Sequence, residues 1–343
     1  MGRVLTRDAK EYDALLALTR TDVQRLVPMR DAIELMKSVF AELSAGRVFS
    51  PLRTVIEIEP NRAQTLLMPA FVPSQNALGV KIVSVFRDNP ARGLPTINAI
   101  VCAIDTETGE PLAIMDGTYL TALRTGAVSG AATDLLARPE SRVLVVVGGG
   151  AQGVTQAAAI CAVRPIERII VVDPDPAAHE RFARDVERDW PDLGQRLEYA
   201  ELAAGVISEA DVICTATTSR QPVFADTDVQ RGTHINAIGA FTPEMQEVPA
   251  ATVVRATVVV DSVEAALAEA GDLIIPLRDG LVGRDHFARE LGAIVAGDAP
   301  GRRDADEITL FKSVGNAVQD VIVARHAVDR ARAAGMGMTL DLG

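Results

Sequence analysis

Three glycines, Gly148, Gly150 and Gly153, follow an apolar run at 143–147 and lead into Ala-rich helical sequence at 154–162. A second apolar run, 169–172, then ends in Asp173. Strand, glycine turn, helix, strand and acid in that order describe a βαβ unit built to hold a dinucleotide. Each glycine has its own task. Gly148 makes the tight turn, Gly150 lets a diphosphate approach the backbone, and Gly153 lets the helix pack close to the strand. The first helical turn, opening with Ala151 and Gln152, would offer unpaired N–H groups and a positive dipole end to phosphates. Asp173, about twenty residues beyond Gly153, stands where a carboxylate can hold both hydroxyls of the adenosine ribose. Pro174 and Asp175 follow it, with no arginine to receive a 2′-phosphate, so NAD(H) is expected ahead of NADP(H).

A second set of residues could grip an anion. The formal net charge is −12 and the only lysines are Lys10, Lys37, Lys81 and Lys312, so an anionic substrate would need a local cluster of cations. Arg53 begins a strand after Ser50-Pro51-Leu52, Lys81 lies in Gly79-Val-Lys81, and Arg124 lies in Leu123-Arg124-Thr125. Singly, each reads more readily as a surface charge or ion-pair partner. Jointly they could form a carboxylate clamp, for which the planar fork of arginine is suited.

The rest of the composition narrows the class. A 343-residue chain with 48% hydrophobic and 23% charged residues has ample core for one or two domains. Its acidity argues against nucleic acid or anionic membrane as a partner. The three cysteines, Cys102, Cys161 and Cys214, are widely spaced in apolar segments and read as reduced core residues of a cytoplasmic protein. The four histidines show no ligand spacing, so no metal site is expected. No apolar run approaches the ~20 residues needed to span a bilayer, and residues 1–20 show no signal-like apolar region. Residues 1–6 match a myristoylation pattern that is too short to carry weight.

These groups need a scaffold. Residues 14–18 read as a short strand, Thr21-Asp22 as a helix cap, and the Ile33, Met36, Phe40, Leu43 stripe as a helix ended by Gly46. Strand-like segments follow at 53–58, 64–68, 78–86, 98–105 and 112–115, joined by turns, which implies a largely antiparallel sheet. Asp116-Gly117 turns into a helix that reaches Leu135 and is stopped by Pro139. From Arg142 the rhythm becomes strand, helix, strand, with strands at 143–147, 169–172, 212–216, 235–238 and 257–260, a doubly wound parallel sheet. The expected fold class is therefore α/β, with a second α+β domain.

Several motifs together resemble the ornithine cyclodeaminase/μ-crystallin family. They are Gly79-Val-Lys81, Gly93-Leu-Pro-Thr96, Asp116-Gly117, Leu120-Thr121 with Leu123-Arg124-Thr125, Gly150-Ala151-Gln152, Asn236-Ala-Ile-Gly239 and Phe311-Lys-Ser313-Val-Gly315. The resemblance implies a substrate-binding and dimerisation domain at 1–126 and 317–343, a Rossmann domain at 127–316, and a homodimer. It implies that Arg53, Lys81 and Arg124 hold a substrate carboxylate, with Lys81 also near the reacting carbon. Thr96, Arg124 and Thr125 would line the nicotinamide side, and Ala151, Gln152 and Asp173 the diphosphate and adenosine. Thr215, the strand end Ile235, Asn236, Ala237 and Ile238, and Val314 would complete the site.

One position departs from the family pattern. Where cyclodeaminases and alanine dehydrogenases carry an aspartate after Asn-x-x-Gly, this chain has Phe241. Phenylalanine cannot accept a proton or activate water, and general acid–base catalysis needs a titratable group within hydrogen-bond reach. Glu244 and Glu247 are close in sequence, but no motif places either at the site. Reduction of a preformed imine asks less, namely positioning, a hydride and one proton. The expected activity is an NAD(P)H-dependent reductase of a small cyclic imine or α-imino/α-keto acid. The alternatives are an ornithine cyclodeaminase with resident NAD, an alanine dehydrogenase-like enzyme, and an NAD(P)H-binding protein of the μ-crystallin kind.

Overall fold

The computed structural model describes residues 15–201 and 204–341. The 1–6 segment and Ala14, part of the expected first strand, lie outside them. The chain groups into two compact units, one of residues 1–28, 47–121 and 316–343, the other of residues 29–46 and 122–315.

In the first unit, β1 (Leu15–Leu18), β2 (Thr54–Ile58), β3 (Ala63–Val72), β4 (Ala77–Phe86), β5 (Ile97–Ile104), β6 (Pro111–Asp116) and β14 (Met338–Leu340) form one sheet. Its seven strands run in the order β14-β1-β6-β5-β4-β3-β2. Strands β2 to β6 pair antiparallel in sequence, whereas β1 joins β6 in parallel. Along β4 the side chains alternate. Ala77, Gly79, Lys81 and Val83 face inward and are buried, while Leu78, Val80 and Ile82 face outward. Helix α11 (Ala317–Ala334) covers the inner face, packing on β3, β4 and β5. Helix α1 (Arg20–Leu26) is capped by Thr19 rather than Thr21, because Asp22 is then the third helical residue and returns a bond to the Thr19 backbone.

The second unit holds β7 (Val143–Val147), β8 (Arg168–Val172), β9 (Leu197–Ala200), β10 (Val212–Thr215), β11 (His234–Ala237), β12 (Thr257–Val260) and β13 (Thr309–Lys312). They form an all-parallel sheet in the order β12-β13-β11-β10-β7-β8-β9. The helices of this unit are α2 (Met29–Ser44), most of α3 (Gly117–Leu136), α4 (Ala151–Val163), α5 (Pro176–Asp189), α6 (Ala204–Ser208), α7 (Ala250–Arg255), α8 (Val263–Glu269), α9 (Gly271–Arg278) and α10 (Leu291–Ala296). The strands β7, β10, β11 and β13 are almost entirely buried, as parallel strands covered on both faces must be, and β7 is wholly apolar.

Two differences from the sequence reading have physical causes. Strands β9 and β13 were not expected, since one is a short edge strand with exposed Glu198 and Tyr199 and the other holds a buried lysine. Helix α2 groups with the parallel sheet rather than with the antiparallel strands that follow it. Its apolar stripe Ile33, Met36 and Phe40 is buried, and it packs on α10 and α4. The approach to α10 is close enough that a Cβ on Gly292 would sit 1.8 Å from the Phe40 carbonyl oxygen.

Candidate active site

In the first unit, the site residues are organised by the start of α11. Asn316 caps that helix through a reciprocal pair with Gln319, and its Oδ1 also accepts a bond from Ser50 Oγ at 2.7 Å. The segment leading to Arg53 is thereby tied to the helix, and Arg53 is left partly exposed. Lys81 lies mid-strand on β4, 1% exposed, with its ammonium 2.8 Å from a carboxylate oxygen of Asp320 in the first turn of α11. Thr96 is partly exposed just before β5, and its carbonyl accepts from the Phe86 amide at 2.8 Å.

In the second unit, the glycine turn does what its spacing implies. Gly148 has φ +109°, and a Cβ there would lie 2.6 Å from the Ala216 carbonyl oxygen. A Cβ on Gly153 would lie 2.3 Å from the Gly148 carbonyl oxygen and 3.1 Å from Val146, so only glycine lets α4 sit this near β7. Around Gly150, by contrast, nothing comes within 4 Å of such a Cβ. Gly150 begins α4 without a side-chain cap, and the buried Oε1 of Gln152 has no hydrogen-bond partner. Ala151 is exposed beside it. Open space and uncapped first-turn N–H groups fit a diphosphate at this helix start. Asp173 reaches across the turn, accepting from the Gly149 amide at 2.8 Å and the Asp175 amide at 2.9 Å.

Arg124 and Thr125 are both 6% exposed on α3. The guanidinium of Arg124 lies over Gly315, where a Cβ would come within 2.8 Å of Nη1. Gly315 itself has φ +82°. Its amide, the Val314 amide and the Ser313 hydroxyl all bond one carboxylate oxygen of Asp261, at 3.0, 2.9 and 2.8 Å. The turn carrying Val314 is thus fixed by a buried acid at the end of β12.

A second buried acid organises the ends of β10 and β11. Glu247 accepts from Thr215 Oγ1 (3.0 Å), the Thr217 amide and hydroxyl (2.6 and 2.8 Å), and the Gly239 and Ala240 amides (2.7 and 3.0 Å). Its own amide and that of Val248 bond Asp272, which pairs with the Lys312 ammonium at 3.0 Å. Burial and the neighbouring Asp272 push the Glu247 carboxyl above its ordinary range, while Lys312 and the Thr217 donors pull it down. Each of its oxygens already faces at least two donors, so the geometry accommodates the ionised form. Glu247 is therefore a structural anchor for the ends of these strands. Phe241, 37% exposed, follows directly on the anchored Ala240.

The chain matches the model of the ornithine cyclodeaminase/mu-crystallin family over residues 14–335. It belongs to that family. Within it, the chain is 40% identical over 328 residues to a Δ1-pyrroline-2-carboxylate reductase of Bacillus cereus, covering 95% of this chain and 100% of the relative. Among solved structures, it is similar to Thermococcus litoralis Δ1-pyrroline-2-carboxylate reductase in complex with NADH and L-proline, with TM-score 0.90, 40% identity, and coverage of 95% and 100%. It is also similar to an archaeal alanine dehydrogenase dimer with bound NAD, with TM-score 0.86, 33% identity, and coverage of 96% and 100%.

Not every residue named from the family pattern turns its side chain to a site. Asn236 is fully buried, its Nδ2 donating to Thr133 Oγ1 at 3.0 Å and its Oδ1 lying 3.3 Å from His234 Nε2, so it ties β11 to α3. Ile235 and Ala237 are fully buried in β11, and Ile238 lies just past its end. Thr215 is committed to Glu247. In return, sequence reasoning passed over Asp320, Asp261, Asp272 and Lys312. The available signal was charge inside apolar sequence: Asp261 closes Val258-Val-Val, and Asp320 sits in Ala317-Val-Gln-Asp-Val-Ile-Val. An acid there must find a partner or shift to its neutral form.

Proposed function

We propose that the protein is an NAD(P)H-dependent reductase of a small cyclic imino acid of the pyrroline-2-carboxylate type. The observation that carries this reading is the chemistry of the 239–247 loop. Phe241 offers no titratable group, and the nearby Glu247 has both oxygens engaged. Water activation and ammonia release lose their base there, whereas imine reduction needs only an acid for the nitrogen. The likeness to two pyrroline-2-carboxylate reductases supports the same reading.

The reaction adds a hydride to the imine carbon and a proton to its nitrogen, leaving a saturated cyclic amino acid. A bound nicotinamide supplies the hydride. Arg53 and Arg124 hold the carboxylate by bidentate, charge-assisted bonds. Lys81 donates the proton from Nζ, and Phe241 presents an apolar wall to the ring. Alignment of this kind is worth about 7–11 kcal/mol of barrier in favourable cases. The test is stoichiometric. Δ1-pyrroline-2-carboxylate should consume one NADH per proline formed, and ornithine should release no ammonia. Ammonia from ornithine without net NADH change would overturn the reading in favour of a cyclodeaminase.

NAD(H) is the preferred cofactor in this reading, with Ala151 and Gln152 at the diphosphate and Asp173 on the ribose. The acids at 173 and 175 would repel a 2′-phosphate. Asp173→Ala should weaken NADH binding about tenfold or more, the scale of a charge-assisted hydrogen bond, and narrow the gap to NADPH. Fluorescence titration with both cofactors measures this, and an unchanged NADH affinity would remove Asp173 from the site.

The reading includes a homodimer. Leu67, Leu78, Val80, Ile82, Ile100 and Ile114 share the outer face of the first-unit sheet, and register sets Leu67 beside Ile82 and Ile82 beside Ile100. Ile100 is 51% exposed and Ile114 36%, a continuous apolar surface of the kind that marks an interface. Ile100→Asp should shift the protein from dimer to monomer in light scattering. A wild-type monomer would count against the dimer.

A further inference from the structure

We propose that Asp320 is a positioning residue for Lys81, fixing where the ammonium stands and therefore which atom of the substrate it can reach. This rests on the reading above, in which Lys81 donates the proton.

The geometry is set by backbone. Gly79 lies two residues before Lys81 on the same inward face of β4. A Cβ on Gly79 would come 2.3 Å from the Cys102 carbonyl oxygen and 3.4 Å from Val321 on α11. The glycine is required by the close approach of the β5 carbonyl, while Val321 stands at ordinary contact distance over it, and the residue before Val321 is Asp320. The start of the helix is tied to the segment before β2 by the Ser50–Asn316 hydrogen bond. Two motifs distant in sequence, Gly79-Val-Lys81 and the start of α11, thus meet at one ion pair of 2.8 Å between side chains that are 2% and 0% exposed.

A lysine has a long, flexible stem and many rotamers, and its ammonium is ordinarily a mobile point charge. Asp320 removes that freedom. In a dry setting the pairing is strong, so the ammonium is held beside the carboxylate instead of sampling its rotamers. A proton donor is effective only within about 2.6–3.2 Å of its target, and a displacement of about 1 Å can cost on the order of 100-fold in rate. Asp320 need not touch substrate for its loss to slow the reaction.

A double-mutant cycle distinguishes action through Lys81 from action alone. The variants are Lys81→Ala, Asp320→Asn and the pair together, measured as kcat/KM for Δ1-pyrroline-2-carboxylate, with NADH affinity and Tm recorded for each. Asp320→Asn should lower kcat/KM about 10- to 100-fold with NADH affinity unchanged. The double variant should be no slower than Lys81→Ala. Losses that multiply, or Asp320→Asn with wild-type kcat/KM, would overturn the proposal. If Asp320→Asn fails to bind NADH or to melt cooperatively, Asp320→Glu decides. It keeps the charge but moves it by one methylene, and should fold while losing kcat; wild-type kcat in that variant would also overturn the proposal. The reading beneath it fails separately, by a Lys81→Ala variant that turns over normally.

Discussion

Lys81→Ala is expected to lower kcat/KM for a cyclic imino acid by about 10²–10⁴-fold, the usual contribution of a positioned general acid, while NADH still binds. The separation follows from where the residue sits. Lys81 belongs to the antiparallel sheet, and the glycine turn with Gln152 and Asp173 belongs to the parallel one. The variant also removes the ammonium that faces the buried Asp320, and breaking a buried ion pair in comparable cases costs about 3–5 kcal/mol of stability. Lys81→Ala combined with Asp320→Asn removes both charges and should recover much of that loss without recovering activity. Steady-state NADH oxidation, fluorescence titration and thermal melting read the three effects. Unimpaired turnover in Lys81→Ala would take the residue out of the mechanism.

Glu247→Ala should cost about 3–5 kcal/mol of stability. The carboxylate receives three backbone amides and two hydroxyls, and all of these would be left facing a cavity. Those donors lie at the ends of β10 and β11, where ligands of parallel sheets bind, so cofactor affinity should fall with stability. Glu247→Gln is a useful control. Its carboxamide has one acceptor oxygen and one N–H₂ group, so whichever way it turns it points donors at donors, and it should be nearly as damaging. Denaturant unfolding of both variants measures this, and wild-type stability in Glu247→Ala would show the loops to be held by other means.

The parts of this protein legible in its sequence are those whose causes are local. The βαβ unit could be read because the turn, the helix and the acid all lie within a short stretch, and Gly148 and Gly153 answer to atoms close in the chain or beside the next strand. Strand alternation in β4 was legible for the same reason. The acids were not. Asp320 is recognisable only beside Lys81, and Glu247 only beside Thr217 and Gly239, partners that folding brings together across long separations. Asn236 is the converse case: its motif is plain in sequence, yet its side chain turns into the packing against α3. The grouping of α2 was hidden likewise, since an apolar stripe shows that a helix is buried but not against which partner.

Strand β14 pairs antiparallel with β1, with Leu15 opposite Leu340 and Ala17 opposite Met338. Without it, β1 would offer a row of unsatisfied amide and carbonyl groups, an open invitation to a foreign strand. A chain shortened after Gly335 should therefore keep its hydride chemistry in dilute solution while gaining a tendency to self-associate with concentration, visible as rising turbidity on warming. In that sense β14 acts as a selvedge, stopping the fabric from being knitted onto its neighbours.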